Sequence, residues 1–432
     1  MQAVVMAGGK GTRLFSVTKN EIPKPMVPLC GRPVLEHQIR CLGENGVTEV
    51  YLVTGHLGEA IEGYFGDGSR WGMEIHYIRE DQPLGTAGVL GRLRGRVAGD
   101  FLLVFGDLVF DIDIRRFLEF HKGCRALCTL LVHPNSHPYD SDIVQTDGRG
   151  RVVKLLPKGK PRKGAYSNLV NSGLYMLSPC VLDGISGFEK MDMEKDIIAP
   201  MVESKGAVYG YKSTEYVRDI GTPERLGETA ADIRCGIAAM KNLGRKQKCV
   251  FLDRDGTVNR YVGLLAGEDG LELEDGAAKA VRLLNASGCL AIIITNQPVV
   301  ARGMCSIGTV KKIHKRLETM LGEEGAYVDD ILFCPHHPDG GYPGEDARYK
   351  TACACRKPGT GMIDACVEKY NIDRGLSWMV GDTTVDIQTG KNAGMKSALV
   401  LTGEGGKDKK YDAAPDMIGG SLLEVVKKIL GI

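Results

Sequence analysis

Two carboxylates stand one residue apart in Cys249-Val250-Phe251-Leu252-Asp253-Arg254-Asp255-Gly256-Thr257, directly after an apolar run of strand length. Such a pair repels itself unless a cation sits between, and hard oxygen ligands suit Mg²⁺. A buried strand that stops at Asp253 holds this carboxylate at the sheet's C-terminal edge, where open α/β folds bind ligands. Gly256 permits a sharp turn that brings Asp255 back over the same place. An Asp-Gly hairpin turn is the plain alternative for these residues alone. A second group is Ala7-Gly8-Gly9-Lys10-Gly11-Thr12-Arg13-Leu14. Glycines after a buried strand let backbone N–H groups approach a polyphosphate. Lys10 is followed by Gly11, so this is not a Walker A loop. Pro23-Lys24-Pro25-Met26 then stiffens the chain around one lysine. Arg13 and Lys24 converging on one pocket would suit the charge that develops on a transferring phosphoryl group. The third group is Cys334-Pro335-His336-His337 with Cys353-Ala354-Cys355. Cys334, His336, Cys353 and Cys355 supply the four soft ligands of tetrahedral Zn²⁺ and leave no position for water, so the ion would be structural. His337 in place of His336 stays open.

The elements that must position these groups follow from the apolar periodicity. Runs at 3–7, 50–54, 101–105 and 127–132 alternate with helical periods at 34–42 and 112–121. This is a βαβα pattern, hence a mostly parallel sheet with helices on both faces. From 143 to 177 the pattern turns to strands, with Asp147-Gly148 as the turn joining 143–146 to 152–156. Residues 222–241 read as one helix opened by Pro223. A polar break at 244–248 separates the halves, and further apolar runs end in Thr295-Asn296 and in Gly381-Asp382. A charged, glycine-rich loop at 403–410 precedes an amphipathic segment, 422–430. The expected fold class is α/β with two doubly wound domains. The first is Rossmann-like over 1–240, a linker spans 241–248, and a Rossmannoid domain occupies 249–432.

The chain has 432 residues, 43% apolar and 25% charged, with net charge +1. It is long enough for two cores. The near-neutral charge gives no ground for nucleic acid as a partner, and no apolar run reaches membrane-spanning length. The start lacks a basic n-region and reads as a first strand. Thirteen scattered cysteines point to a reducing compartment, so a cytoplasmic protein is expected.

Beside this reading stand two resemblances. Asp253-Arg254-Asp255-Gly256-Thr257, a strand-end Thr295, Lys357 and Gly381-Asp382-Thr383-Thr384-Val385-Asp386 resemble the four motifs of the haloacid-dehalogenase (HAD) phosphatase superfamily. The resemblance implies Asp253 as nucleophile, Asp255 as acid and base, and a Mg²⁺ shell of Asp253, Asp255 and Asp382. Asp386 would support that shell. It further implies Thr295 and Lys357 on the phosphoryl oxygens, Arg302 as a candidate for the substrate's own phosphate, and Asn296 and Arg356 among the substrate-binding residues. The Cys-His loop narrows the likeness to heptose bisphosphate phosphatases, with histidinol-phosphate phosphatases as near relatives. Pro298-Val299 departs from the usual Ser-Gly at that turn.

In the first half, Gly8-Gly9 to Leu14 with Pro23 to Met26 resembles the signature of sugar-1-phosphate nucleotidyltransferases. This implies Gly8, Gly9, Gly11 and Thr12 on the nucleotide, and Gln82, Gly85 and Thr86 in the loop that reads the base. Asn171, Gly173 and Glu194 would contact the sugar, with Asp107 and Asp219 holding Mg²⁺. Arg13 would hold the leaving phosphates and Lys24 the reacting ones. The lysine expected near the sugar phosphate is not clean: Lys158 fits its place, with Lys154 and Lys160 as alternatives. The implied partners are sugar phosphates and a nucleoside triphosphate, GTP foremost; a homo-oligomer is compatible with the sequence. Together the halves read as consecutive steps on one heptose. The phosphatase would leave a sugar 1-phosphate and the transferase would consume it. The runner-up keeps both chemistries with UTP, dTTP or CTP and another phosphoester. A catalytically silent regulatory module is disfavoured, because Arg13, Lys24, Asp107 and Asp219 are all retained.

Overall fold

Runs of valine, leucine and isoleucine bounded by glycine and polar turns form the buried strands of two sheets. The computed structural model describes residues 1–9, 12–162 and 164–432. These sort into two compact units. One comprises Met1–His133, Val144–Leu156 and Asn171–Gly244; the other comprises Pro134–Ile143, Pro157–Val170 and Arg245–Ile432.

In the first unit the strand Gln2–Met6 lies between Glu49–Thr54 and Phe101–Phe105 and runs parallel to both. Glu74–Arg79 extends one side in parallel, and Val170–Leu177 joins the other side antiparallel. The chain therefore winds out in one direction, then reverses to the far side of its first strand. The loop after Met6 opens at this switch point, where such sheets bind ligands. The helix Val34–Glu44 turns Leu35, Ile39 and Leu42 into the core that also holds Val5, Leu52 and Val104. A separate ribbon pairs Leu108–Asp111 with Tyr216–Asp219. It sets Asp219 opposite Leu108, one residue from Asp107.

The second unit repeats the device with a parallel sheet. Cys249–Leu252 sits between Leu290–Asn296 and Trp378–Gly381, and Asp330–Cys334 and Lys396–Val400 extend the two sides. Ile292, Ile293 and Ile294 are all fully buried, as expected of a strand covered on both faces. Ala277–Ser287 and Leu422–Leu430 cover one of those faces with Val281, Leu284 and Val425.

Three expectations change. The segment read as one helix breaks at Gly236, φ 76°, into Pro223–Arg234 and Ile237–Met240. The turn after Ile143–Thr146 is longer than an Asp-Gly pair. Asp147 N–H donates to the Arg151 carbonyl, its Oδ1 accepts from Arg149 and Arg151, and the positive φ falls on Gly150. The units divide at Gly244–Arg245, within the 241–248 stretch read as a linker, but residues 134–143 and 157–170 group with the second unit instead of the first. Gln247 exchanges backbone hydrogen bonds with Asn371 and Asp373 and so is no free linker. Among the described residues no helix is long and apolar enough to cross a membrane.

Candidate active sites

In the first unit, a Cβ on Gly8 would lie 2.8 Å from Glu80 Oε2 and 3.3 Å from Gly55 N. A side chain there would have to displace the Glu80 carboxylate and crowd the Gly55 backbone. Gly9 faces open space. Gly11 and the side chain of Thr12 lie outside the described residues. Lys24 is nearly buried, and its Nζ donates to Asp107 Oδ2 at 2.6 Å. A Cβ on Gly221 would lie 2.7 Å from Asp219 Oδ1 and 3.3 Å from the Arg13 guanidinium. Arg13, Lys24, Asp107 and Asp219 thus meet beyond the switch point. Burial pushes the Asp219 carboxyl up, but Arg225, the Gly221 N–H and Lys24 outweigh it and hold the group below its usual range. The donor set fits Mg²⁺, which takes one or two carboxylates and completes its shell with water and substrate phosphate. Sequence reasoning missed Arg225, which donates to Asp219, and Glu80, which accepts from Leu84 N at 3.0 Å. A lone Arg in a helix's first turn carries no signal of its own.

The loop expected to read the base is zipped to the segment before Glu194. Gly85, φ 79°, packs so closely that its Cβ would meet the Met191 carbonyl at 2.3 Å. Ala87 N donates to the same oxygen, and Thr86 Oγ1 accepts from Met193 N at 2.7 Å. Asn171 Nδ2 donates to Glu194 Oε1 at 2.6 Å and to Tyr175 OH at 2.8 Å. Gly173, φ 82°, lets the strand bend past Phe105. Gln82 is exposed. Lys158 is exposed too, its N–H donating to Asp142. It belongs to the segment grouped with the second unit, so the unit that holds Asn171 and Glu194 does not include it. Lys154 remains in the first unit, on Val152–Leu156.

In the second unit, Lys357 Nζ bridges Asp253 Oδ1 at 2.8 Å and Asp386 Oδ1 at 2.6 Å, almost fully buried. Asp386 also accepts from Thr383 N and Oγ1. Asp382 Oδ2 accepts from Glu404 N at 2.8 Å, while its buried Oδ1 has no hydrogen-bond partner among the described residues. Asp253, Asp382 and Asp386 each offer an oxygen within 4.8 Å of the others. Burial pushes the carboxyls of Asp253 and Asp382 up, and the Asp386 charge adds to both shifts; Lys357 opposes them. Gly256 and Gly403, both at positive φ, press on Asp382, where a Cβ from either would lie 2.3 Å or less from Oδ2. An unpaired buried oxygen facing a second carboxylate fits a divalent cation, which Asp253 and Asp382 would hold.

Asp255 departs from expectation. Its carboxylate accepts from Arg254 Nη2 at 2.8 and 2.9 Å, from Asn259 Nδ2 at 3.0 Å and from Gln297 Nε2 at 2.9 Å. Although burial raises it, these donors hold it below its usual range. The side chain is thus not a member of the acidic cluster, and Asp386 stands there instead. Arg302 departs as well. Its guanidinium carbon lies 4.2 Å over the Tyr342 ring, and it does not line the cleft of roughly 400 Å³ that contains Asp253, Thr295, Asn296, Arg356 and Lys357. Thr295 Oγ1 accepts from Gln297, and Asn296 exchanges two hydrogen bonds with the Lys357 backbone. Tyr261, Glu404, Asp408 and Lys410 also line the cleft and were not foreseen.

The sulfurs of Cys334, Cys353 and Cys355 lie 3.1–3.4 Å apart, and His336 Nδ1 is 3.5–3.6 Å from Cys334 and Cys355. These separations are too long for disulfides, about 2.05 Å. They approach the edges of a tetrahedron around one zinc, about 3.8 Å between sulfurs. His337 instead accepts from Asp339 N and packs edge-on against Tyr342, so it is His336 that joins the three cysteines in a group that could hold a metal. Arg356 Nη1 donates to the His336 carbonyl at 3.0 Å, which ties the cluster to the cleft.

The profile of the Nucleotidyl transferase family matches residues 2–235, and a HAD-hydrolase-like profile matches 354–425. The chain is 35% identical over 269 residues to mannose-1-phosphate guanylyltransferase of Mycobacterium tuberculosis, covering 62% of this chain and 74% of that one. It is 32% identical to D-glycero-alpha-D-manno-heptose 1-phosphate guanylyltransferase of Aneurinibacillus thermoaerophilus, covering 52% and 94%. It spans about half the length of several other relatives. A solved D,D-heptose 1.7-bisphosphate phosphatase from B. bronchiseptica, complexed with magnesium and phosphate, is 31% identical over 43% of this chain and 99% of its own, with TM-score 0.38. With a Rossmann-like first domain and a HAD-like second, this enzyme unites a transferase fold and a hydrolase fold, and the chain belongs to the nucleotidyl transferase family.

Proposed function

We propose that the chain acts twice on one heptose. The second unit removes the 7-phosphate of D-glycero-D-manno-heptose 1,7-bisphosphate. The first joins the resulting 1-phosphate to a guanylyl group from GTP and releases pyrophosphate. The observation that carries this reading is the pairing of two phosphorus-handling clusters on one chain: Lys24 with Asp107 and Asp219, and Lys357 with Asp253 and Asp382. The product class of one reaction is the substrate class of the other. Two relatives named for guanylyl transfer, one of them to a heptose phosphate, favour GTP and heptose.

In the phosphatase half, an Asp253 oxygen attacks phosphorus, and the bond from phosphorus to the sugar oxygen breaks. The leaving alkoxide takes a proton from Asp255 in its protonated form, a minor species that must first take up a proton from solvent because Arg254, Asn259 and Gln297 hold the carboxylate ionised. The Arg254 cation makes that group a ready donor and a weak base. Water then attacks the aspartyl-phosphate, its proton returns to Asp255, and phosphate departs. Lys357 offsets repulsion between the Asp253 carboxylate and the incoming phosphate. Mg²⁺ on Asp253 and Asp382 would supply further charge neutralisation. Structural Zn²⁺ on Cys334, His336, Cys353 and Cys355 would fix the chain just before Arg356 and Lys357. In the transferase half, Lys24 and Arg13 neutralise the phosphates while the sugar phosphate displaces pyrophosphate in line.

The test supplies Mg²⁺, each nucleoside triphosphate and several sugar bisphosphates, and records phosphate and pyrophosphate. Asp253→Asn should abolish phosphate release yet keep pyrophosphate release from sugar 1-phosphate. Lys24→Ala should do the reverse. Equal loss of both signals in both variants would sink the two-site reading. Pyrophosphate with UTP, dTTP or CTP, but not GTP, would replace the guanylyl assignment.

A further inference from the structure

Arg254 stands between the two aspartates of the phosphatase motif, yet its side chain turns inward and is 0% exposed. Two of its nitrogens grip Asp255, Nη2 at 2.8 and 2.9 Å and Nε at 3.2 Å. The third, Nη1, lies 3.1 Å from His314 Nε2. A guanidinium only donates, so Nε2 must accept, and the imidazole is neutral with its proton on Nδ1. Burial and the Arg254 charge push His314 down to about 3, in keeping with that state. His314 is buried on the helix Ile307–Glu323, whose Ile313, Leu317 and Leu321 are core residues. It packs edge-on against Phe333 and does not line the cleft.

We propose that His314 is a positioning residue for the phosphatase reaction: through Arg254 it fixes the direction in which the Asp255 carboxyl faces the scissile bond. Without an acceptor at His314, Nη1 would be a buried, unpaired charged donor. The guanidinium would rotate to satisfy it and draw Asp255 off line. Asn259 and Gln297 hold the carboxylate from other sides, but neither supplies the bidentate grip. The inference rests on the phosphatase reading above.

The experiment uses the full chain and compares kcat/KM for a primary alkyl phosphate and for p-nitrophenyl phosphate. The alkoxide needs a proton to leave and the nitrophenolate does not. This ratio also covers only the steps through departure of the alcohol. His314→Leu should lower the alkyl value roughly 10- to 100-fold and the aryl value less than about threefold, since acid–base catalysis contributes on the order of 10² to 10⁴. His314→Gln, which keeps an acceptor, should stay within about threefold on both substrates. Both rates come from one sample, so incompletely folded protein cancels from their ratio. An unchanged alkyl-to-aryl ratio in His314→Leu, or a Gln variant no better than Leu, would overturn the proposal. A wild type inert toward both phosphates, and indistinguishable from Asp253→Asn, would overturn the phosphatase reading and this inference with it.

Discussion

Lys357 is the cation on which the phosphatase cluster balances. It is almost wholly buried between Asp253 and Asp386, and their charges raise its pKa against the opposing pull of burial. Removing it strands two buried carboxylates, a kind of loss that costs about 3–5 kcal/mol. Lys357→Met should therefore lower the urea midpoint of the second unit and abolish phosphate release. Pyrophosphate release from sugar 1-phosphate should persist; its loss would mean that the units are not independent. Most of this cluster was legible, because motif residues at strand ends must face the cleft. Asp255 was not: its spacing from Asp253 suggests a shared cation, and nothing in the sequence shows that Arg254 folds back onto it. Arg302 misled for the opposite reason, since a basic residue near a site is easily credited with substrate when an aromatic face has already claimed it.

At the scale of elements, the parallel strands that were read, such as 3–7, 50–54 and 101–105, fall within about two residues of Gln2–Met6, Glu49–Thr54 and Phe101–Phe105, because a strand buried on both faces leaves an unbroken apolar run. Glu74–Arg79, Asp330–Cys334 and Lys396–Val400 were not foreseen. Other misses lie where glycine decides the backbone. Gly236 splits a helix, and Gly150 instead of Gly148 takes the left-handed turn. The charged loop at 403–410 was given no role from the sequence, yet its Glu404 N–H orients Asp382 and its Asp408 caps the helix Thr384–Asn392 through Thr384. The cysteine cluster is the element whose role is most directly checked. The purified chain should carry one zinc per molecule. Stripping it with a chelator should destabilise the 334–357 region and reduce phosphate release, while pyrophosphate release with added Mg²⁺ is unchanged. Full phosphatase activity in zinc-free protein would remove the metal from the account.

Across the whole chain, the two-part organisation was legible from the alternation of strand and helix periods and from the polar break. The grouping of 134–143 and 157–170 with the second unit was not, since no local pattern records long-range packing. The proposed order of reactions has its own signature. With bisphosphate as the only sugar, pyrophosphate should lag behind phosphate, and supplying the 1-phosphate should abolish the lag. Simultaneous onset from the bisphosphate would mean that the transferase accepts it directly.

Both sheets place their first strand in the middle and reverse direction around it. Asp253 therefore gains neighbours on its two sides only after segments from far downstream have docked, and Lys357 and Asp382 arrive from there as well. A nascent or half-assembled chain carries Asp253, the proposed nucleophile, without Lys357 or the Asp382 carboxylate that would share a cation with it. On the proposed mechanism such a chain would turn over no phosphoester, so turnover would report that the strands on both sides of Cys249–Leu252 have docked.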